Sequence, residues 1–306
     1  MTTKLIALDW GTSSLRAYRM GGDGVVLEVR RSAHGILKLP GGGFSEALTN
    51  LTGDWLEDAP QAAIIASGMV GARQGWREAA YLPCPAALDD LSDTLCVVTS
   101  EGGRQLHIVP GVALDVDGGA PDVMRGEETQ VLGVADRDNA TVVLPGTHSK
   151  WVKLSDGALQ SFATFMTGEL FALLTEHSIL AASIDGDHFS EASFIDGLQR
   201  AAQVDLRHGL MHALFGVRAL SLFGRLPAQA AGSYLSGLLI GAELAGARGA
   251  GLLDGESVVV ILADPAIAKP YELALSQLGA VVERGPSHAA AVGLYRIALQ
   301  AGLTAR

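Results

Sequence analysis

Short apolar runs separated by polar and glycine-rich turns open the chain. A run at 5–8 has the pattern of a buried strand and ends in a polar turn at 9–14. Two more strand-like runs follow at 15–20 and 25–30. Because turns this short leave no room for a crossover connection, the pattern predicts an antiparallel meander of three strands.

The next stretch alternates between helical and strand-like periods. Apolar residues recur with helical spacing through 43–57, and another helical stretch lies at 127–132. Three short apolar runs between them are typical of buried strands, at 62–66, 95–98 and 106–109. This order of strands and helices is typical of an α/β domain.

The opening pattern of strand, polar turn and strand recurs in the second half. An apolar strand pattern at 140–144 leads into a turn at 145–150, and strand patterns follow at 151–154 and 159–163. Such a recurrence indicates an internal repeat of the architecture.

A polar turn at 136–139 is the predicted domain boundary. We expect an N-terminal domain over 1–135 and a C-terminal domain over 136–306. The remaining elements of the second domain follow from their periods: helices at 168–175, 217–223, 233–248, 271–278 and 287–301, and strands at 258–262 and 280–283.

One predicted helix carries a small residue at every fourth position. Ser233, Gly237, Gly241 and Ala245 form this stripe. Residues at this spacing lie on one helix face, so the stripe predicts close packing of another helix or strand.

Composition narrows the class of protein. Of 306 residues, 48% are hydrophobic and 18% are charged, which is enough apolar material for a sizeable core. The net charge of −11 argues against a nucleic-acid partner, although a few well-placed cations can still bind a small anion. The apolar stretch 235–247 is too short to span a bilayer, so we expect no membrane partner and a cytoplasmic location.

The first turn offers groups that suit a nucleotide phosphate. Thr12, Ser13 and Ser14 supply hydroxyls after Gly11, and a turn of this kind exposes main-chain amides. Asp9, at the end of the strand, is a hard oxygen ligand suited to Mg²⁺. The alternative is an ordinary hairpin turn with Asp and Gly in their usual places.

The two turns together resemble a known pair of motifs. Residues 9–16 are similar to the first phosphate motif of the actin-like ATPase superfamily, and 144–150 takes the place of the second. The resemblance implies two RNase H-like domains with an active-site cleft between them and Mg-ATP bound by both turns. It also implies a sugar-acid site in the N-terminal domain and an adenosine site in the C-terminal domain. The implied phosphate-binding residues are Gly11, Thr12, Ser13, Ser14, Gly146, Thr147, His148 and Lys150. For Lys150, a solvated surface position is the alternative.

An acidic motif precedes the second turn. In glycerol-type sugar kinases of this superfamily, Gly-Asp opens a helix here and the Asp is the catalytic base. Gly126-Glu127 resembles that pair, which implies that Glu127 takes the proton from the attacking hydroxyl. The sequence departs from the pattern in having Glu for Asp and a second acid, Glu128. Alternatively, both acids only favour a helix N-terminus through the macrodipole.

Further stretches resemble one family over nearly the whole chain. The residues at 66–76, 81–86, 144–151 and 165–171 are similar to those of the 2-dehydro-3-deoxygalactonokinases. The resemblance implies transfer of the ATP γ-phosphate to the 6-hydroxyl of 2-dehydro-3-deoxy-D-galactonate, a step of galactonate and galactose catabolism.

A keto-acid substrate needs a carboxylate partner and groups that contact its hydroxyls. Arginine presents the best fork for a carboxylate, and the candidates are Arg73, Arg77 and, beside the predicted base, Arg125. For Arg77, a surface pair with Glu78 is the favoured alternative. Gln74 and Trp76 are candidates to line a sugar pocket.

Two other functions remain open at this point. A kinase of another sugar or sugar acid would keep the fold and change only the pocket. A non-catalytic actin-like regulator would bind nucleotide without phosphoryl transfer. We expect ATP and a small sugar acid as partners, and a homodimer is left open.

Overall fold

The structure is a computed structural model, and it describes residues 2–39, 41–115, 119–137, 139–186, 188–203 and 209–305. Helices and strands are mixed along the chain, as predicted. The strands are β1 (Thr3–Trp10), β2 (Leu15–Gly21), β3 (Val26–Ser32), β4 (Ala63–Ser67), β5 (Tyr81–Pro83), β6 (Ala86–Ala87), β7 (Cys96–Thr99), β8 (Gln105–Ile108), β9 (Gly111–Leu114), β10 (Asp122–Met124), β11 (Ala140–Leu144), β12 (Ser149–Ser155), β13 (Ala158–Phe165), β14 (Val258–Ile261) and β15 (Val282–Arg284).

The α-helices in the described part of the chain vary from six to 22 residues. They are α1 (Phe44–Asp58), α2 (Leu88–Asp93), α3 (Glu127–Leu132), α4 (Thr167–His177), α5 (Glu191–Ala202), α6 (Gly209–Leu222), α7 (Ala228–Gly249), α8 (Pro265–Ser276) and α9 (Ala289–Gln300). Short 3₁₀ turns occur at Ile36–Lys38, Met69–Gly71 and Ala181–Ser183. Within the described residues, no helix is both long enough and apolar enough to cross a membrane.

The chain folds into two compact units. The first unit consists of three segments, Met1–Asn139, Leu154–Ser161 and Gly285–Arg306. Its main sheet has the strand order β3-β2-β1-β4-β8-β7. β1 pairs antiparallel with β2 and β2 with β3, which confirms the predicted meander. β4 pairs parallel with both β1 and β8. A smaller sheet has the order β10-β9-β5.

The C-terminal helix belongs to this first unit and packs behind α3. A β-carbon at Gly293 of α9 would overlap the carbonyl of Thr129 in α3, so the two helices approach each other closely. Arg296 also donates from Nη1 to the carbonyl of Leu132 at 2.9 Å. α3 is only six residues long, and this packing holds it against the sheet.

The second unit comprises Ala140–Lys153 and Phe162–Arg284. β15, β14 and β11 pair in parallel, and β12 and β13 continue the sheet in that order. β13 begins in the first unit, where Ala158 and Leu159 pair with the two residues of β6. The boundary predicted between residues 135 and 136 does not anticipate that Leu154–Ser161 and Gly285–Arg306 belong to the first unit. The assignment of the two domains stays a prediction.

The small-residue stripe on α7 has the predicted role. β-Carbons at Gly237 and Gly241 would overlap atoms of α5, the first at the carbonyl of Phe194 and the second at the side chain of Ala201. Gly197 of α5 lies equally close to the carbonyl of Tyr234. The helix that packs against the stripe was absent from the sequence prediction, which left 191–202 without an element.

Candidate active site

The turn after β1 presents three exposed hydroxyl-bearing residues, Thr12, Ser13 and Ser14. The amide of Gly11 donates to the carbonyl of Ser14 at 2.9 Å, which closes the turn. The next segment supports it from behind: Ile36 and Leu37 donate their amides to the carbonyls of Gly11 and Thr12, each at 3.1 Å. The carbonyls are therefore occupied, while the hydroxyls remain available to a ligand.

Gly11 itself is not required by the fold. Its φ is not in the left-handed region, and a β-carbon there would meet only the carbonyl oxygen of Ser14, at 3.6 Å. By contrast, a β-carbon at Gly35 would overlap the backbone of Ser13 and Ser14. Gly35 is a supporting residue that the sequence analysis missed.

Asp9 lies next to this turn, at the end of β1. It faces Arg16 of β2 and Ser67 of β4 in the sheet register. Burial raises the pKa of the Asp9 carboxyl, and the positive charge of Arg16 opposes that rise. Among the described residues, no group donates a hydrogen bond to this carboxylate. A shielded carboxylate without a hydrogen-bond donor fits a divalent cation.

No group of three or more His, Cys, Asp or Glu side chains in the described residues could hold a metal ion by itself. A cation at Asp9 would therefore take most of its ligands from a bound phosphate and water. Mg²⁺ is commonly bound in this way, through one or two carboxylates and substrate phosphates.

The end of β4 meets the start of α3. A β-carbon at Gly126 would stand 3.0 Å from Cα of Gly68, and one at Gly68 would stand 2.8 Å from the carbonyl oxygen of Trp10. Both glycines have positive φ, 94° at Gly68 and 109° at Gly126. The hydroxyl of Thr129 lies 3.2 Å from that of Ser67. These contacts bring the β1 end, with Asp9, close to the N-terminus of α3.

The two acids at the start of α3 have different environments. Glu127 is half-buried, and its Oε2 accepts the amide of Arg125 at 3.0 Å. Glu128 is fully buried: its Oε2 accepts the amide of Gly126 at 2.6 Å, and its Oε1 has no hydrogen-bond partner. Burial, followed by the charge of Glu127, raises the pKa of Glu128 to about 8. Glu128 is therefore protonated at neutral pH, and of the two only Glu127 is accessible to a substrate.

Arg125 turns into the protein. Its guanidinium stacks on the ring of Tyr81, 4.1 Å from the centroid, and Nη2 donates to the carbonyl of Ala79 at 2.8 Å. Nε and Nη1 are buried without hydrogen-bond partners. Its proximity to Glu127 in sequence thus does not bring its side chain to an open surface.

Gln74 and Trp76 line one cavity of about 380 Å³ in the first unit. The ring of Trp76 stacks on Phe44 and meets the edge of Trp10, which follows Asp9. Arg73 is outside the cavity lining, and its side chain is 84% exposed with a loose ion pair to Glu78 at 3.7 Å. The remaining lining residues are Leu39, Gly41, Gly42, Gly43, Phe44, Ser45, Gly75, Thr99 and Glu101.

The second turn, in the second unit, is held by α4. The amide of Glu169 donates to the carbonyl of Thr147 at 2.9 Å, and its carboxylate meets Nε2 of His148 at 2.5 Å. A β-carbon at Gly168 would overlap the carbonyl of Gly146. A β-carbon added at Gly146 would have no atom within 4 Å, so the turn borders open space at this position.

Lys150 differs from the other residues predicted in this turn. Thr147 and His148 are exposed, whereas Lys150 is 5% exposed and donates from Nζ to the hydroxyl of Thr164 at 2.8 Å. A solvated surface position, the alternative considered from the sequence, does not describe it.

A cavity of about 240 Å³ lies beside Gly146. Helices α7 and α8, the latter with Tyr271, and the start of α4 form most of its walls. The lining is mostly apolar and consists of Gly146, Thr167, Gly168, Phe171, Ser236, Leu239, Ile240, Ile267, Pro270 and Tyr271.

Comparison with known proteins identifies relatives over nearly the full length. The model of the 2-keto-3-deoxy-galactonokinase family matches residues 9–297. The 2-dehydro-3-deoxygalactonokinase of Escherichia coli (strain K12) is 36% identical over 280 residues, which cover 91% of each chain.

Two solved structures are similar in fold. A protein from Sinorhizobium meliloti assigned as a 2-dehydro-3-deoxygalactonokinase superposes with a TM-score of 0.86 at 38% identity, covering 96% of this chain and 98% of that one. The activator of 2-hydroxyisocaproyl-CoA dehydratase from Clostridium difficile, solved with ADPNP, has a TM-score of 0.50 at 12% identity, covering 95% and 92%. This second likeness concerns the fold alone and agrees with the predicted actin-like architecture.

Proposed function

The chain belongs to the 2-keto-3-deoxy-galactonokinase family, and from this premise we propose that it transfers the γ-phosphoryl group of ATP to the 6-hydroxyl of 2-dehydro-3-deoxy-D-galactonate. The observation that carries the mechanism is the contact between Gly68 and Gly126. It brings the strand end with Asp9, and the hydroxyl-bearing turn after it, close to the start of α3, where Glu127 is accessible.

In this proposal Glu127 accepts the proton of the 6-hydroxyl as its oxygen bonds to the γ-phosphorus. The bond from the γ-phosphorus to the bridging oxygen breaks, and ADP leaves with the electron pair. The transition state for such a transfer is loose, so positioning the hydroxyl matters more than the basicity of the carboxylate. Glu128, protonated at neutral pH, adds no second negative charge beside the phosphates.

Each of the two turns, within its own unit, is suited to phosphate. The space beside Gly11 and Gly146 is not filled by neighbouring residues. Phosphate oxygens can therefore approach the main chain closely at both positions. Asp9 would hold Mg²⁺, which when bound neutralises charge on the transferred phosphoryl group. The cavity beside Gly146 suits a purine, since it has apolar walls and the hydroxyls of Thr167 and Ser236.

For the sugar acid, the cavity that contains Gln74 and Trp76 is the best-supported position. An amide and an indole face are suited to hydroxyl groups and to the carbon chain of the substrate. Arg73 is exposed enough to swing to the carboxylate. Arg125 would reach a ligand only through its buried Nε and Nη1, so we assign it to holding the Tyr81 region against the start of α3.

An ADP-release assay with a panel of sugars and sugar acids tests the proposal. We expect kcat/KM for 2-dehydro-3-deoxy-D-galactonate to exceed that for other sugar acids by about 100-fold or more, since a site that hydrogen-bonds its substrate rejects analogues strongly. A stronger preference for another compound would reassign the substrate. Nucleotide binding with no ADP release from any compound would favour the non-catalytic regulator.

A further inference from the structure

A buried carboxylate lies beneath the second turn. Glu243 is in the middle of α7 and is 2% exposed. Its Oε1 accepts the indole N–H of Trp151 at 2.7 Å, and its Oε2 accepts the phenol of Tyr271 at 2.8 Å. Burial raises the pKa of Glu243, and hydrogen bonds from Thr167, Trp151 and Tyr271 oppose that rise.

The residues bonded to this carboxylate, directly or through Tyr271, come from the elements around the second turn and the adjoining cavity. Ser149 begins β12 at the end of the second turn, Thr167 begins the helix that supports the turn, and Tyr271 lines the cavity. Carboxylates are buried at a cost unless several donors surround them, so a site with this many donors is built around the acid.

The direction of the hydrogen bonds is fixed by the single proton of the phenol. Burial and the charge of Glu243 raise the pKa of Tyr271, which therefore keeps its proton and donates it to Oε2. The bond of 2.8 Å between Ser149 and Tyr271 must then be donated by the serine. Ser149 is consequently held in one orientation at the end of the turn.

We propose that Glu243 is a positioning residue for the nucleotide, which acts through Tyr271 to fix the second turn relative to the cavity beside Gly146. The carboxylate itself does not touch ATP, since it is buried and does not line the cavity. This inference rests on the proposed function, in which that turn and cavity bind ATP.

Tyr271→Phe is the direct test, because it keeps the ring that lines the cavity and removes only the linking hydroxyl. Tyr234→Phe is the matched control: this tyrosine is also buried in the second unit, and its hydroxyl makes no hydrogen bond within the described residues. Initial rates are measured with ATP varied at saturating sugar acid, and then with the sugar acid varied at saturating ATP.

We expect Tyr271→Phe to raise KM for ATP by about fivefold or more, the scale of one lost hydrogen bond. The KM for the sugar acid should stay within about twofold, as should both constants in Tyr234→Phe. A purely structural hydroxyl would lower the melting temperature and leave the KM for ATP unchanged, and that result overturns the proposal. If Tyr271→Phe does not fold, Ser149→Ala removes the other end of the same series of hydrogen bonds. The same result is then expected: a raised KM for ATP and an unchanged KM for the sugar acid.

A double-mutant cycle tests whether Glu243 acts through Tyr271. Glu243→Gln should raise KM for ATP in the wild-type background and add little in the Tyr271→Phe background. Additive effects would overturn the coupling. Gly146→Ala tests the premise that the second turn binds the nucleotide, and an unchanged KM for ATP in that variant refutes it. A raised KM for ATP in Gly146→Ala, together with a normal KM for ATP in Tyr271→Phe, refutes only the role of Glu243.

Discussion

Gly68 and Gly126 touch through their backbones, with the β-carbon position of Gly126 only 3.0 Å from Cα of Gly68. Gly68 follows the β4 residue that faces Asp9 in the sheet register, and Gly126 immediately precedes Glu127. A side chain at Gly126 would push α3 away from the end of β4, and one at Gly68 would press on the carbonyl of Trp10 in β1. The contact therefore brings together the motif that contains Asp9 and the motif that contains Glu127, which are more than a hundred residues apart in the sequence.

Asp9→Asn tests the metal-binding role. We expect kcat to fall by about 10²–10³, because the metal contributes several kcal/mol of charge stabilisation. In wild type, Mg²⁺ should increase the thermal stabilisation by ADP, and in the variant this increase should be lost. Asp58→Asn is the control, as it removes an exposed carboxylate paired only with Arg19. Near-normal turnover of Asp9→Asn at saturating Mg²⁺ would remove Asp9 from the site.

Gly146→Ala tests the second turn without a folding defect. A β-carbon at Gly146 meets nothing within 4 Å, so the melting temperature should change little. We expect KM for ATP to rise by about tenfold or more, since the added methyl occupies space intended for phosphate oxygens. Gly216→Ala is matched to it, because that position is also open and lies on α6 away from the turn. A normal KM for ATP in Gly146→Ala would show that the turn does not approach the nucleotide.

The raised pKa of Glu128 predicts how stability depends on pH. Between the ordinary carboxyl value and about 8, the folded protein retains a proton that the unfolded chain has lost, so unfolding becomes easier as pH rises through this window. The loss is at most about 1.4 kcal/mol for each pH unit. Urea denaturation at pH 5.5 and 7.5 should show this decline in wild type and a smaller one in Glu128→Gln. Equal declines in both proteins would mean that Glu128 is ionised in the fold.

Trp76→Ala and Arg73→Ala test the position of the sugar acid. Each should raise KM for the sugar acid by about tenfold, through lost ring contact and lost carboxylate pairing respectively, and leave KM for ATP within about twofold. Arg77→Ala is the control, since this neighbouring arginine bonds the carbonyl of Val97 outside the cavity. Unchanged sugar-acid kinetics in both variants would move the substrate to another surface of the first unit.

Local patterns predicted the elements that carry the chemistry. The meander and the bounds of α3 at residues 127–132 follow from apolar periods and turn residues, which act over a few positions. Missed elements had patterns that conflict with their structure. α5 has a glycine in its interior, which disfavours a helix, yet Gly197 is what allows α7 to approach. α8 starts six residues earlier than predicted because Pro265 is favourable in the first helical turn.

Other features depend on contacts that a linear sequence does not display. The packing of α9 behind α3 joins the C-terminus to the first unit. The hydrogen bonds among Ser149, Glu243 and Tyr271 join three distant positions. Arg125 shows a related difficulty: its place next to Glu127 was visible, but not that its side chain turns away to stack on Tyr81.

The most direct test of the account compares Glu127→Gln with Glu128→Gln at saturating substrates. Glutamine keeps the shape of each side chain and cannot accept the proton, so kcat of Glu127→Gln should fall by about 10²–10⁴, the scale of a lost general base, with little change in KM for ATP. Glu128→Gln should keep kcat within about tenfold, because that buried carboxyl is already protonated at neutral pH. An inactive Glu128→Gln beside an active Glu127→Gln would contradict the assignment of the base, and full activity in both would remove the start of α3 from the chemistry.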